Sequence, residues 1–206
     1  MDIASRRRSE IIQAAYKVFS EKGYHSTRIE DIASELNVAH GLFYHYFQNK
    51  LDIFSQIIDE VIIRITNGVI TDAPDASDTL GEYGEQIQRL GERLLDLFRD
   101  DPHISKILFY EALGIDDRIN QKIQDAFDLF GQYTGMYVKN GVEKGFLRPD
   151  IPVRETALAI NAMTFEAARR IAESKDKARA RKQWTKAIMG LMLQGMAEPG
   201  SKPIDK

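Results

Sequence analysis

A chain of 206 residues that is 43% hydrophobic and 29% charged, with six prolines, has a globular balance and is neither disordered, collagen-like nor of low complexity; its length allows one sizeable core with a small domain appended. The absence of cysteine excludes disulfides, thiolate metal sites and cysteine nucleophiles together. The net charge of −3 is unevenly placed, because residues 1–50 hold seven Lys and Arg against six Asp and Glu together with three of the four histidines, yet that asymmetry alone announces no nucleic-acid partner. No run of about 18 apolar residues occurs, and "MDIASRRRSE" is not followed by the apolar stretch of a signal peptide, so the expectation is a soluble, cytoplasmic protein without a membrane partner.

In chain order, "RRRSEIIQAAYKVFSEKG" spaces Ile11, Ile12, Ala15, Val18 and Phe19 as an amphipathic helix stopped by Gly23. In "TRIE", Thr27 and Glu30 have the spacing of a capping box, which predicts a second helix with Ile29, Ile32, Ala33 and Leu36 inward. Asn37 tolerates the sharp turn that follows, and Val38 plugs the corner. A short third helix is expected over 39–46, and Asn49 caps a fourth from Lys50 toward Asn67. "TDAPDASDTLGEYG" breaks the periodicity and reads as a loop between parts. Further helices are expected near 78–99, 102–113, 116–144, 153–174 and 178–197, and no useful strand-like alternation is found. The fold class is therefore all-α: an amino-terminal three-helix unit over 1–50, a connecting helix over about 50–67, and a larger helical domain over 51–206.

Two helices joined by a tight turn, the second short and carrying groove-compatible side chains, form a helix-turn-helix, here "IEDIASELNVAHGLFYHYF". An ordinary helical hairpin looks similar in so short a window. The longer span from Ile11 to Phe54, with its "KGY" followed by Ser26 and Thr27, then "DIA", "LNV", "GLFYHYF" and Asn49-Lys50-Leu51, resembles the DNA-binding region of the TetR family of bacterial transcriptional regulators. The resemblance implies that the short helix enters the major groove of an operator, with His40, Gly41 and Leu42 at base edges. Leu42 departs from the small residue common there, which favours a thymine methyl over a hydrogen bond. Tyr44, Tyr46 and Lys50 would meet phosphates, Thr27 and Arg28 likewise, and Arg6 to Arg8 would add screening-sensitive attraction. Phe43 and Phe47, four apart, are expected to turn inward, opposite the face of His40 and Tyr44. His45 is a weaker candidate for DNA contact. His40 and His45 diverge on a helix and have no third ligand nearby, so no metal is expected.

For the remaining residues the resemblance implies effector binding and dimerisation, with no cofactor. The stripe in "DAFDLFGQYTGMYV" supplies Phe127, Phe130, Tyr133 and Tyr137, and Phe98, Phe109, Tyr110, Met136, Met163 and Phe165 are further candidates to line a pocket for a mostly apolar small molecule; such a stripe equally suits a plain core. His103, Glu111, Asn161 and Arg169 are possible polar anchors that nothing ranks. Gly131 and Gly135 inside a helix point to close packing or open space. Ile188, Leu191, Met192 and Met196, near Gly190 and Gly195, form the candidate dimer contact of a two-fold regulator reading a palindrome. The basic stretch "RRIAESKDKARARKQWTK" reads as a solvated connection. The expectation is a homodimeric repressor released from its operator by ligand; an activator or ligand-independent binder shares the module, and an enzyme lacks any phosphate loop, nucleophile elbow or His-Glu-His pattern to support it.

Overall fold

The structure is a computed structural model that describes residues 2–197. Its helices are α1 (Ile3–Lys22), α2 (Ile29–Glu35), a 3₁₀ helix (His40–His45), α3 (Lys50–Val69), α4 (Leu80–Asp100), α5 (Pro102–Lys106) prolonged by a π-helical turn (Ile107–Glu111), α6 (Asp117–Glu143), α7 (Val153–Glu173) and α8 (Lys177–Met196). No strand occurs among the described residues, so the all-α expectation holds. No helix among them is long and apolar enough to cross a membrane.

Local chemistry sets the helix ends. Asp2 accepts from the Ser5 N–H at 2.6 Å and opens α1, and Gly23, at φ 85°, closes it. Asn37 adopts φ 54° while the Val38 N–H reaches the Ala33 carbonyl at 3.0 Å and the Asn37 N–H the Ser34 carbonyl at 3.1 Å. That paired return to the last turn of a helix is the Schellman arrangement, and it supplies the corner expected at "LNV". Asn49 Oδ1 accepts from the Asp52 N–H at 2.9 Å, as its place before α3 implies.

The start of α2 corrects the sequence reading. Arg28, not Thr27, is the residue before the first turn, and the Asp31 carboxylate, not Glu30, accepts the Arg28 N–H at 2.8 Å. Thr27 is buried, and its hydroxyl donates to the Gly23 carbonyl at 2.7 Å. The Lys22 ammonium, 2.7 Å from Asp31, and the Arg28 N–H hold that carboxyl below its usual range.

The chain divides into two compact units, Met1–Arg64 with His103–Ile123, and Ile65–Pro102 with Gln124–Lys206. A single cut after residue 50, the division read from sequence, is thus replaced by a discontinuous one. In the first unit, Phe19 and Phe54 meet edge to face at 5.1 Å and Tyr24 lies against Phe54 at 4.8 Å, with Ile11, Ile32, Phe43, Phe47 and Ile57 closing the core. The segment from 103 belongs here because Ile104 and Ile107 are fully buried and its polar groups end on α1 and the turn after it. His103 Nδ1 lies 2.7 Å from Ser20 Oγ, Lys106 Nζ donates to the Ser20 carbonyl at 3.1 Å, and Glu111 accepts the Tyr24 N–H at 2.7 Å.

In the second unit α7 packs on α4 and α8, and α4 on α8. Gly131 lets α6 approach α7 closely, since a Cβ there would sit 2.8 Å from Leu158 Cδ2; close packing, one of the two options for a glycine mid-helix, is the one realised. The loop before α4 is held by buried Gln86, which donates to the Ala73 carbonyl at 2.8 Å, and by Asn140, which donates to the Pro74 carbonyl at 2.9 Å. The basic stretch is not wholly a solvated connection. Arg181 on α8 grips Asp96 on α4 at 2.5 and 2.9 Å, while Arg169 and Arg170 draw the Glu166 carboxyl down to about 2.

Candidate nucleic-acid interface and apolar cavity

The 3₁₀ helix has two faces, as the spacing of its rings predicts. Phe43 and Phe47 are buried with ring centroids 5.5 Å apart, and the Arg8 guanidinium lies over the Phe47 ring at 5.3 Å. On the other side His40, Gly41, Tyr44 and His45 are exposed, Tyr44 to 53%, while Leu42 and Tyr46 are half-buried. Nothing lies within 4 Å of where a Gly41 Cβ would be, so a duplex could approach the backbone there. His40 and Tyr44 rings meet at 5.2 Å, and His40 Nε2 lies 3.3 Å from Glu30. An exposed row of imidazole and phenol groups on a rigid apolar base offers donors and acceptors at the reach of base edges and phosphates.

Two residues assigned to phosphate contact, and the arginine run before them, have other tasks within this chain. Thr27 is internal, as described. Lys50 Nζ donates to the carbonyls of Tyr24 at 2.7 Å, Thr27 at 3.0 Å and His25 at 3.4 Å, and sits 4.4 Å from the Tyr24 ring centre. Burial pushes its ammonium below the ordinary lysine range. Lys50 therefore stiffens the turn that presents Arg28, which remains exposed. Arg6 and Arg7 pair with Glu10 at 3.1 and 2.7 Å, and Arg8 donates to Gln56; that partial neutralisation weakens the attraction expected from the arginine run.

The second unit encloses a cavity of about 110 Å³ whose wall comes from α3, α4, α6, α7 and α8. Of the predicted lining residues, Phe130, Tyr133, Tyr137 and Phe165 are in the wall. Phe98 is packed in the core instead, Met136 is exposed, and Phe127, outside the wall, meets Phe165 edge to face at 5.1 Å. Met163 is not in the wall, and Phe109 and Tyr110 belong to the first unit, Tyr110 exposed. Of the proposed anchors only Asn161 reaches the wall; His103 and Glu111 serve the first unit, and Arg169 pairs with Glu166.

Two dimer candidates are corrected in the same way. Ile188 and Met192 are buried and line the cavity, whereas Leu191 is 64% exposed. The apolar stripe of α8 is wide enough to serve both sides, and its spacing cannot say which residue faces which. Reading the sequence also missed the wall contributed by α4, with Tyr83, Ile87, Leu90, Gly91 and Leu94; their period in "YGEQIQRLGERLL" was the available signal. Tyr83 donates to the Tyr137 carbonyl at 3.1 Å and Tyr137 to the Asp72 carbonyl at 2.6 Å. Burial raises the phenol of each, with the Tyr133 hydroxyl adding to the effect at Tyr137.

The described residues thus combine an exposed helix-turn-helix face on one unit with an apolar cavity in a second unit. Residues 11–57 match the family model for bacterial regulatory proteins of the tetR family. The chain is 24% identical over 158 residues to the HTH-type transcriptional repressor KstR2 of Mycobacterium tuberculosis, covering 71% of this chain and 72% of that one. In three dimensions it matches FadR of Bacillus subtilis in complex with stearoyl-CoA (TM-score 0.71, 22% identity, 91% of this chain and 98% of that one). It also matches a regulator from Saccharomonospora viridis in complex with choline (TM-score 0.74, 23% identity, 94% and 99%). Residues 11–57 thus carry the likeness to the DNA-binding region of the tetR family.

Proposed function

We propose that the protein is a cytoplasmic homodimeric repressor that leaves a palindromic operator when a small, largely apolar molecule enters the cavity. The observation that carries this reading is the pairing of an exposed His40–Tyr44 face with an apolar chamber on one chain. Arg28, His40, Gly41, Leu42, Tyr44, His45 and Tyr46 make the DNA contacts, and Thr27 and Lys50 act by holding the turn behind them. Leu191, flanked by Gly190 and Gly195 with open space at their Cβ positions, starts the subunit contact, with Met196 at its end. Relatives named as a repressor and as complexes with stearoyl-CoA and choline support a ligand-responsive role without fixing the ligand.

The release mechanism is a population shift. Residues 103–116 join α4 to α6, both of which line the cavity, and they are hydrogen-bonded to the end of α1 and to Tyr24. A ligand that favours one placement of those helices biases the turn beside Arg28, and by linkage operator binding disfavours the ligand equally. Selecting duplexes from a random pool tests the reading. Two matching half-sites about 34 Å apart, or a multiple of that spacing, are expected for a two-fold helix-turn-helix reader. Recovery of a single half-site by a monomer, or of no sequence at all, would reject it.

A further inference from the structure

The cavity wall holds no charged side chain. Its hydroxyl groups are all engaged within the protein: Tyr83 donates to the Tyr137 carbonyl, Tyr133 and Tyr137 both reach the Asp72 carbonyl, Thr164 donates to the Ile160 carbonyl at 2.8 Å, and Thr134 donates to Asn161 Oδ1 at 2.8 Å. One donor is left over. The amide nitrogen of Asn161 is shielded from solvent and has no hydrogen-bond partner. The Thr134 hydroxyl donates to the oxygen of that amide, so the group left without a partner on α7 is the N–H donor. A buried amide without a partner is uncommon in native proteins and calls for an explanation.

We infer that the cavity takes a neutral, mainly apolar molecule bearing a carbonyl oxygen, which the Asn161 amide meets as donor. The inference rests on reading the cavity as an effector site and adds the chemical class. A ligand carboxylate or ammonium inside the chamber would have no counter-charge there, and burying an unpaired charge is strongly unfavourable. A plain hydrocarbon would fill the space and leave the amide unsatisfied. A carbonyl on an apolar body satisfies both conditions. Two sources of such a carbonyl exist: a free ketone or ester, and a thioester whose charged carrier stays outside the wall.

The test compares matched probes small enough for a cavity of about 110 Å³ on the full-length protein: pentane, 2-pentanone, pentanoate and pentanoyl-coenzyme A, each titrated calorimetrically. Satisfying the orphaned amide should make 2-pentanone bind about tenfold tighter than pentane. Asn161→Leu should erase that difference while pentane still binds. Pentanoyl-coenzyme A distinguishes the sources: tighter binding than 2-pentanone, again lost in Asn161→Leu, marks a thioester, and weaker binding marks a free ketone or ester. Equal binding of pentane and 2-pentanone to wild type, which needs no variant to fold, overturns the role of Asn161 and leaves the cavity reading intact. Tightest binding of pentanoate overturns the neutral class. Failure of every probe, pentane included, overturns the cavity reading itself and this inference with it.

Discussion

Gly91 sits inside α4 and in the cavity wall, and no heavy atom lies within 4 Å of where its Cβ would be. Gly91→Ala therefore removes the backbone entropy of glycine without a clash, and should stabilise the protein by about 0.5–1 kcal/mol. Gly91→Leu extends the side chain into the chamber. Its three further carbons add about 2 kcal/mol if they fill empty space, at roughly 0.8 kcal/mol per buried carbon, and they consume much of a void of about 110 Å³. Urea denaturation followed by circular dichroism would read the stability, where a gain of 1 kcal/mol corresponds to a melting shift of about 2–4 °C for a chain of this size. Fluorescence anisotropy on a selected operator would read function: Gly91→Leu should bind DNA like wild type and ignore 2-pentanone. A Gly91→Ala protein less stable than wild type would refute the open geometry. A Gly91→Leu protein still released by ligand would refute the location of the effector site.

Further outcomes are expected elsewhere in the molecule. Glu111→Ala should cost about 1–3 kcal/mol in urea denaturation, because the buried Tyr24 N–H loses its acceptor, whereas Glu111→Gln, which keeps an acceptor oxygen, should cost clearly less. Arg28→Gln should flatten the plot of log operator affinity against log salt by about one counterion, and Tyr44→Ala should lower affinity with little change in that slope; unchanged affinity in both would remove these residues from the interface. The raised phenol pKa values of Tyr83 and Tyr137 mean that their contribution to stability is complete below the unfolded value of about 10 and declines as pH rises toward the folded values. The urea midpoint should accordingly fall above that pH, and less steeply in Tyr137→Phe, which at neutral pH should be weaker by about 1 kcal/mol for the lost bond to Asp72.

Much of the first unit was legible because its signals are local. A glycine stop, an Asn in the left-handed region, an Asn before a helix and two phenylalanines four apart act on their own neighbours, and all did so in the structure. What escaped has longer reach or finer resolution. Two acids, Glu30 and Asp31, compete for one helix start, and Asp31, three residues after the Arg28 cap, takes it while pairing with Lys22 from another helix. Glu111 finds its partner 87 residues earlier in the chain, which no window contains. In α8 the choice between Leu191 and Met192 as the outward residue depends on where α4 packs, and a stripe of apolar residues does not encode it.

The arrangement of the 3₁₀ helix carries an evolutionary corollary. Its anchoring rings, Phe43 and Phe47, lie inside, while the imidazoles and phenol that would meet DNA hang outside, and Tyr44 touches the core through an edge contact with Phe43 at 5.4 Å. Exchanging them should therefore redirect the promoter that is recognised at almost no folding penalty, so new gene targets can be sampled by drift while the scaffold underneath stays untouched.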